Sequence, residues 1–149
     1  MLDGFNKILN SKDISRLIIL IVVEEGEKDF ITEDERAEKN EKFTKKKYKV
    51  FIKLESLEIL VIAAINRLSL RNGFELSLNS DFRICPDNAL FVLSGNGVND
   101  YVFWGIQRLT KLIGIGKTKQ ILYLNNNIKV EESLKIGLIN GIYPQKELL

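Results

Sequence analysis

The sequence contains no histidine, one cysteine, two prolines, one methionine and one tryptophan in 149 residues. Without histidine no Ser-His-Asp or Cys-His arrangement can form, and no imidazole can ligate a metal. Cys85 alone closes no intrachain disulfide and builds no thiolate zinc site, so nothing points to an oxidising compartment. Acid–base chemistry is left to carboxylates, lysines and tyrosines. Long apolar runs are also missing. Leu17 to Val23 is too short to span a bilayer, has no small-residue cleavage site and runs into Glu24, Glu25 and Glu27. The cytoplasm is the default location.

What is present is balanced. The chain is 45% hydrophobic and 28% charged, with a net charge of +2 and a pI near 8.6, which argues for neither nucleic acid nor a membrane surface by itself. Its length implies one domain, residues 1–149, with enough chain for a real core.

Periodicity divides the chain. Met1, Leu2, Phe5, Ile8 and Leu9 share one helical face. Leu17 to Val23 is β-branched and continuous, as expected of a strand buried on both faces of a parallel sheet. Residues 24 to 53 are polar. Acidic side chains come first, with Asp34 as an N-cap candidate; Lys42, Lys45, Lys46, Lys47, Lys49 and Lys53 follow. Tyr48, Val50, Phe51, Leu54 and Leu57 supply a late apolar stripe. A solvated helix is the plain reading of this block, and a polyanion site on the lysine run is the alternative. Leu60 to Ile65 predicts a second buried strand, Asn66 to Gly73 a loop, and Phe74 to Asn79 a short helix. Residues 81–84 and 89–93 predict short strands, with a turn-rich loop at Gly95 to Asp100. Helices are expected over 103–113 and 116–124, parted by Gly114 and Gly116. Another is expected over Glu131 to Ile136, closed by Gly137, with a last extended piece from Leu138. Alternating strands and helices without repeats indicate an α/β domain with a parallel sheet.

Several segments then occur in a telling order. Val61-Ile62-Ala63-Ala64-Ile65-Asn66 is followed by Gly73-Phe74-Glu75-Leu76-Ser77-Leu78, Asp81-Phe82-Arg83-Ile84, Gln107-Arg108-Leu109-Thr110-Lys111-Leu112-Ile113-Gly114 and Glu131-Glu132-Ser133-Leu134-Lys135-Ile136-Gly137-Leu138-Ile139-Asn140. Together they resemble the enoyl-CoA hydratase/isomerase (crotonase) family over nearly the whole chain. The resemblance implies a crotonase-like (ββα) spiral fold, here incomplete at both ends. Strands that normally precede residue 1 are expected to be missing, and so is a C-terminal helical region that completes the CoA site and a homotrimer.

The resemblance also implies chemistry. Family members hold an acyl-CoA thioester so that two backbone N–H groups stabilise its enolate, fixed donors aimed at charge that develops during reaction. One or two glutamates move protons around it. Carried over by position, the first donor falls on Thr32, in Phe30-Ile31-Thr32-Glu33-Asp34-Glu35, and the second on Asn72, in Arg71-Asn72-Gly73. Lys28, Phe30 and Thr32 fall in the CoA-binding stretch. Glu75 matches the first glutamate; the plain alternative is a helix-start carboxylate favoured by the dipole. Arg71 reads either as a solvent-facing loop arginine or as an anion contact.

The sequence departs from the family pattern at three places. Glu33 stands where the first loop has glycine, Gly95 stands at the second glutamate position, and Phe103 and Trp104 replace small residues on the approach to an acyl pocket. Asp100 is the carboxylate nearest to the lost glutamate. Three functions follow as expectations. The first is a hydratase-like lyase adding water to a 2-enoyl-CoA through Glu75, Thr32 and Asn72. The second is a non-catalytic crotonase-fold protein that binds acyl-CoA or a partner subunit. The third, disfavoured by the acidic block, is polyanion binding through the lysine run, as in an RNA-binding branch of the family. Whether the chain is an enzyme is left open by these residues. No metal and no cofactor beyond the thioester substrate is called for, and no membrane contact.

Overall fold

Two β-branched segments pair first. In the computed structural model, which describes residues 7–11, 19–23, 41–70, 72–92, 103–124 and 127–148, β1 (Ile19–Val23) lies parallel to β2 (Leu60–Ala64). Ile19 is opposite Leu60 and Val23 opposite Ala64. A parallel pair needs a long crossover, and this one contains α1 (Glu41–Glu55). Val50, Phe51 and Leu54 make the buried stripe of that helix, while Lys45 and Lys49 are exposed.

β4 (Phe82–Cys85) adds to the other side of β2, and β7 (Gly141–Ile142) to the far side of β4. The order is therefore β1-β2-β4-β7 with every pair parallel. A second sheet has the order β3-β5-β6, built from β3 (Leu68–Leu70), β5 (Leu90–Val92) and β6 (Ile128–Lys129). β3 and β5 are parallel, and β5 and β6 antiparallel. Phe74 and Phe91 meet in the core with ring centroids 5.9 Å apart, beside Leu54, Ile65, Leu109 and Leu138.

The helices after β2 are short or interrupted. α2 (Asn72–Leu78) is buried along its whole length. α3 (Phe103–Leu124) is broken at Gly114, whose φ of 79° and ψ of 159° only glycine adopts readily. α4 (Val130–Lys135) ends in a Schellman turn. The Leu138 N–H donates to the Ser133 carbonyl and the Gly137 N–H to the Leu134 carbonyl, with Gly137 at φ +78°. α5 (Gln145–Leu148) closes the described chain.

The predicted break at Gly114 and helix stop at Gly137 are observed. Two expectations are corrected, and one strand is new. The segment Asn66 to Gly73 is not a loop throughout. Leu68–Leu70 forms β3, because Leu68, Ser69 and Leu70 pair with Leu90, Phe91 and Val92, and α2 already begins at Asn72. β1 is not buried on both faces. It stands first in the strand order, and Ile19 and Ile21 are about half exposed while Val22 is buried. β6 has no counterpart in the sequence reading. Its two residues carry no alternation, and only the partner strand β5 defines it. The Met1 to Phe5 part of the first helix, Asp34 and the Gly95 to Asp100 loop lie outside the described residues.

Candidate active site

The site is built on α2. Its first residue, Asn72, follows β3, and its carboxylate, Glu75, lies three residues further on, in the first turn. Positions i and i+3 share a helix face, and the first turn of a helix favours negative charge. Glu75 is nevertheless 0% exposed, and a carboxylate removed from water needs partners.

Two other helices supply them. The Gly105 N–H at the start of α3 donates to Oε1 at 3.1 Å. From α1, Nζ of Lys47 lies 2.9 Å from Oε2. This second contact is an ion pair. The same Nζ donates to Oδ1 of Asn72 at 2.9 Å. One ammonium thus touches both described residues for which the sequence predicted a site role.

The rest of α2 is fastened from behind. The Asn79 side-chain amide donates to the Glu75 carbonyl at 2.6 Å, and the Ser77 hydroxyl to the Phe74 carbonyl at 2.7 Å. Arg83, 2% exposed, donates through Nη1 to the carbonyls of Ser80 (2.6 Å) and Ser77 (3.3 Å) and through Nε to that of Leu138 (2.7 Å). Burial pulls the Arg83 guanidinium below its ordinary pKa, and Asp81 partly offsets this. Asp81 in turn accepts the Val61 N–H at 2.8 Å, which locks the start of β4 to β2. The carboxylate therefore sits on a short helix fixed at both ends.

Lys47 is the residue that sequence reasoning missed. It was placed with the solvated lysine run. Yet it lies three, four and seven residues before Val50, Phe51 and Leu54, on the face that α1 buries. That periodicity was the available signal. Glu75 and Asn72 come together. Thr32, Lys28, Phe30, Glu33, Arg71, Gly95 and Asp100 lie outside the described residues, as do the side chains of Phe103 and Trp104. Among the described residues no group of three or more His, Cys, Asp or Glu gathers as a metal site would require, and no helix is long and apolar enough to cross a membrane.

The profile of the enoyl-CoA hydratase/isomerase family matches residues 26–149. The chain belongs to this family. Among curated hydratase relatives, the short-chain-enoyl-CoA hydratase of Clostridium acetobutylicum is 38% identical over 144 residues, covering 91% of this chain and 55% of the relative. The crotonyl-CoA hydratase of Syntrophomonas wolfei is 36% identical over 140 residues, covering 88% and 54%. The chain thus spans about half the length of these curated relatives. A crystal structure of an enoyl-CoA hydratase from Bacillus anthracis superposes with a TM-score of 0.80 at 30% identity, over 99% of this chain and 60% of that one. A Thermobifida fusca protein solved with CoA reaches 0.86 at 20% identity, which establishes the shared fold. The crotonase fold read from the sequence is therefore observed, with its mixed α/β layers and parallel sheet.

Proposed function

We propose that this enoyl-CoA hydratase/isomerase family member binds an acyl-CoA thioester and moves protons on its acyl chain through Glu75. The observation that carries the reading is the position of Glu75: buried, in the first turn of α2, three residues after Asn72 and held from two further helices. In the hydration that this placement suits, Glu75 accepts a proton from a water molecule as the water oxygen bonds to the β-carbon. The double-bond electrons move onto the thioester as an enolate, and the same carboxyl group returns its proton to the α-carbon. The net change is addition of H and OH. The backbone N–H groups of Asn72 and Thr32 are assigned to the enolate oxygen, and Lys28 and Phe30 to the CoA moiety. The thioester is the substrate, and no separate cofactor enters.

A second reading has its own support. Both Glu75 oxygens are already engaged, by Gly105 N–H and Lys47, as in a structural ion pair, and the chain would then bind acyl-CoA without turnover. The test measures hydration of crotonyl-CoA beside the thermal shift given by acetyl-CoA. Under the first reading Glu75→Gln lowers kcat by about 10²–10⁴, the usual contribution of a general acid–base group, and leaves the shift intact. A shift without turnover, unchanged by Glu75→Gln, establishes the second. Neither shift nor turnover refutes both.

A further inference from the structure

We propose that Lys47 is a positioning residue of this site, bridging Glu75 and Asn72 so that carboxylate and oxyanion-hole residue keep a fixed relation. This rests on the reading of Glu75 as the acid–base group. The geometry is the starting point. Nζ lies 2.9 Å from Glu75 Oε2 and 2.9 Å from Asn72 Oδ1. Asn72 and Glu75 sit three residues apart on one face of α2, whereas the ammonium comes from α1, 25 residues before Asn72. The lysine side chain is 12% exposed and the glutamate 0%, so little water screens the pair. A helix of seven residues has little rigidity of its own. An ammonium anchored on a fifteen-residue crossover helix that also carries Val50, Phe51 and Leu54 into the core is a firm external reference for it.

The bridge has a chemical consequence. A cation in contact with a carboxylate favours its charged form, so Lys47 holds Glu75 ready to accept a proton rather than to lose one. Other described groups also face Glu75. α2 contributes the Asn72 and Asn79 side-chain amides, and α3 the Gly105 N–H. Arg108, one turn beyond Gly105, pairs with the exposed Glu55 at the end of α1.

The test reads the Glu75 carboxyl directly. In protein with ¹³C-labelled glutamate, the signal that Glu75→Gln removes is followed as a function of pH in the unaltered chain and in Lys47→Met. We expect protonation of Glu75 to move upward in Lys47→Met, because an adjacent cation favours the charged carboxylate. Crotonyl-CoA turnover should lose kcat with KM nearly constant, and Lys47→Arg should recover part of it. If Lys47→Met does not fold, Lys47→Gln keeps a donor toward Asn72 and drops the charge, and the same upward move is expected. A merely structural lysine would lower the melting temperature and leave the Glu75 titration in place; that result overturns the proposal. Turnover that survives Glu75→Gln would instead refute the acid–base reading while the titration still reports on Lys47.

Discussion

Replacing Arg83 with methionine tests the packing logic behind the site. The guanidinium is buried and gives two short hydrogen bonds, 2.7 Å to the Leu138 carbonyl and 2.6 Å to that of Ser80, with a longer one of 3.3 Å to Ser77. Hydrogen bonds from a charged donor contribute about 1.5–3 kcal/mol each, so the two short ones account for about 3–6 kcal/mol. Methionine fills much of the same volume but leaves both carbonyl oxygens without this donor. Against this stands relief from burying a cation, the same desolvation that lowers the Arg83 pKa. The net expected cost of Arg83→Met is about 3 kcal/mol. In urea, with a slope of about 1.5 kcal/mol per molar, the midpoint should fall by about 2 M with the slope unchanged. Arg83→Lys keeps the charge, but one ammonium cannot span Leu138 and Ser80, so it should recover less than half. Amide exchange at Ile139 and Asn140 should accelerate in both variants. A midpoint for Arg83→Met within about 0.3 M of the parent would refute the claim that these bonds hold α2 against the C-terminal segment.

Two further outcomes follow from the backbone and from the thiol. Gly137→Ala meets no steric contact from the added Cβ, so its cost should be the left-handed backbone alone, about 1–2 kcal/mol by denaturant melting; a neutral result would mean that the Schellman turn rearranges freely. Cys85 is fully buried, and burial pushes its thiol from the ordinary 9.0 up to about 12. Above pH 9 the unfolded chain releases this proton while the folded chain keeps it, so the stability it contributes is complete below pH 9 and is lost as pH rises toward 12. The slope is at most about 1.4 kcal/mol per pH unit. Cys85→Ala should remove that part of the alkaline decline, and native Cys85 should react with a thiol reagent at pH 8 no faster than the chain unfolds.

The segments whose periodicity is set by their own residues were legible in the sequence. Ile19–Val23 and Leu60–Ala64 pair as two strands that are apolar throughout, and Gly114 and Gly137 end helical segments because each takes a positive φ. Leu68–Leu70 was not legible, since three residues after a polar Asn66-Arg67 show no strand period until Leu90–Val92 lies beside them. At the site, Glu75 and Asn72 were found through their order in a family pattern, which relates residues close in sequence. Lys47 escaped because the charge count around it speaks for solvent, whereas its helical phase speaks for the interior. In the folded chain phase outweighs composition, for the buried carboxylate of Glu75 supplies the counter-charge the lysine needs.

The strand order β1-β2-β4-β7 also governs when this molecule can become itself during synthesis. Arg83 meets Ser77 and Ser80 almost as soon as it is made, but its third acceptor, Leu138, lies 55 residues ahead, and β7 reaches β4 later still. Through that interval β4 has only β2 as a neighbour in its sheet and the guanidinium lacks part of its shell. Pairings of such long range form slowly and leave edges open meanwhile. A ribosome paused before residue 138 would therefore hold a nascent chain in which α2, with Glu75 already on it, has not yet been locked in place.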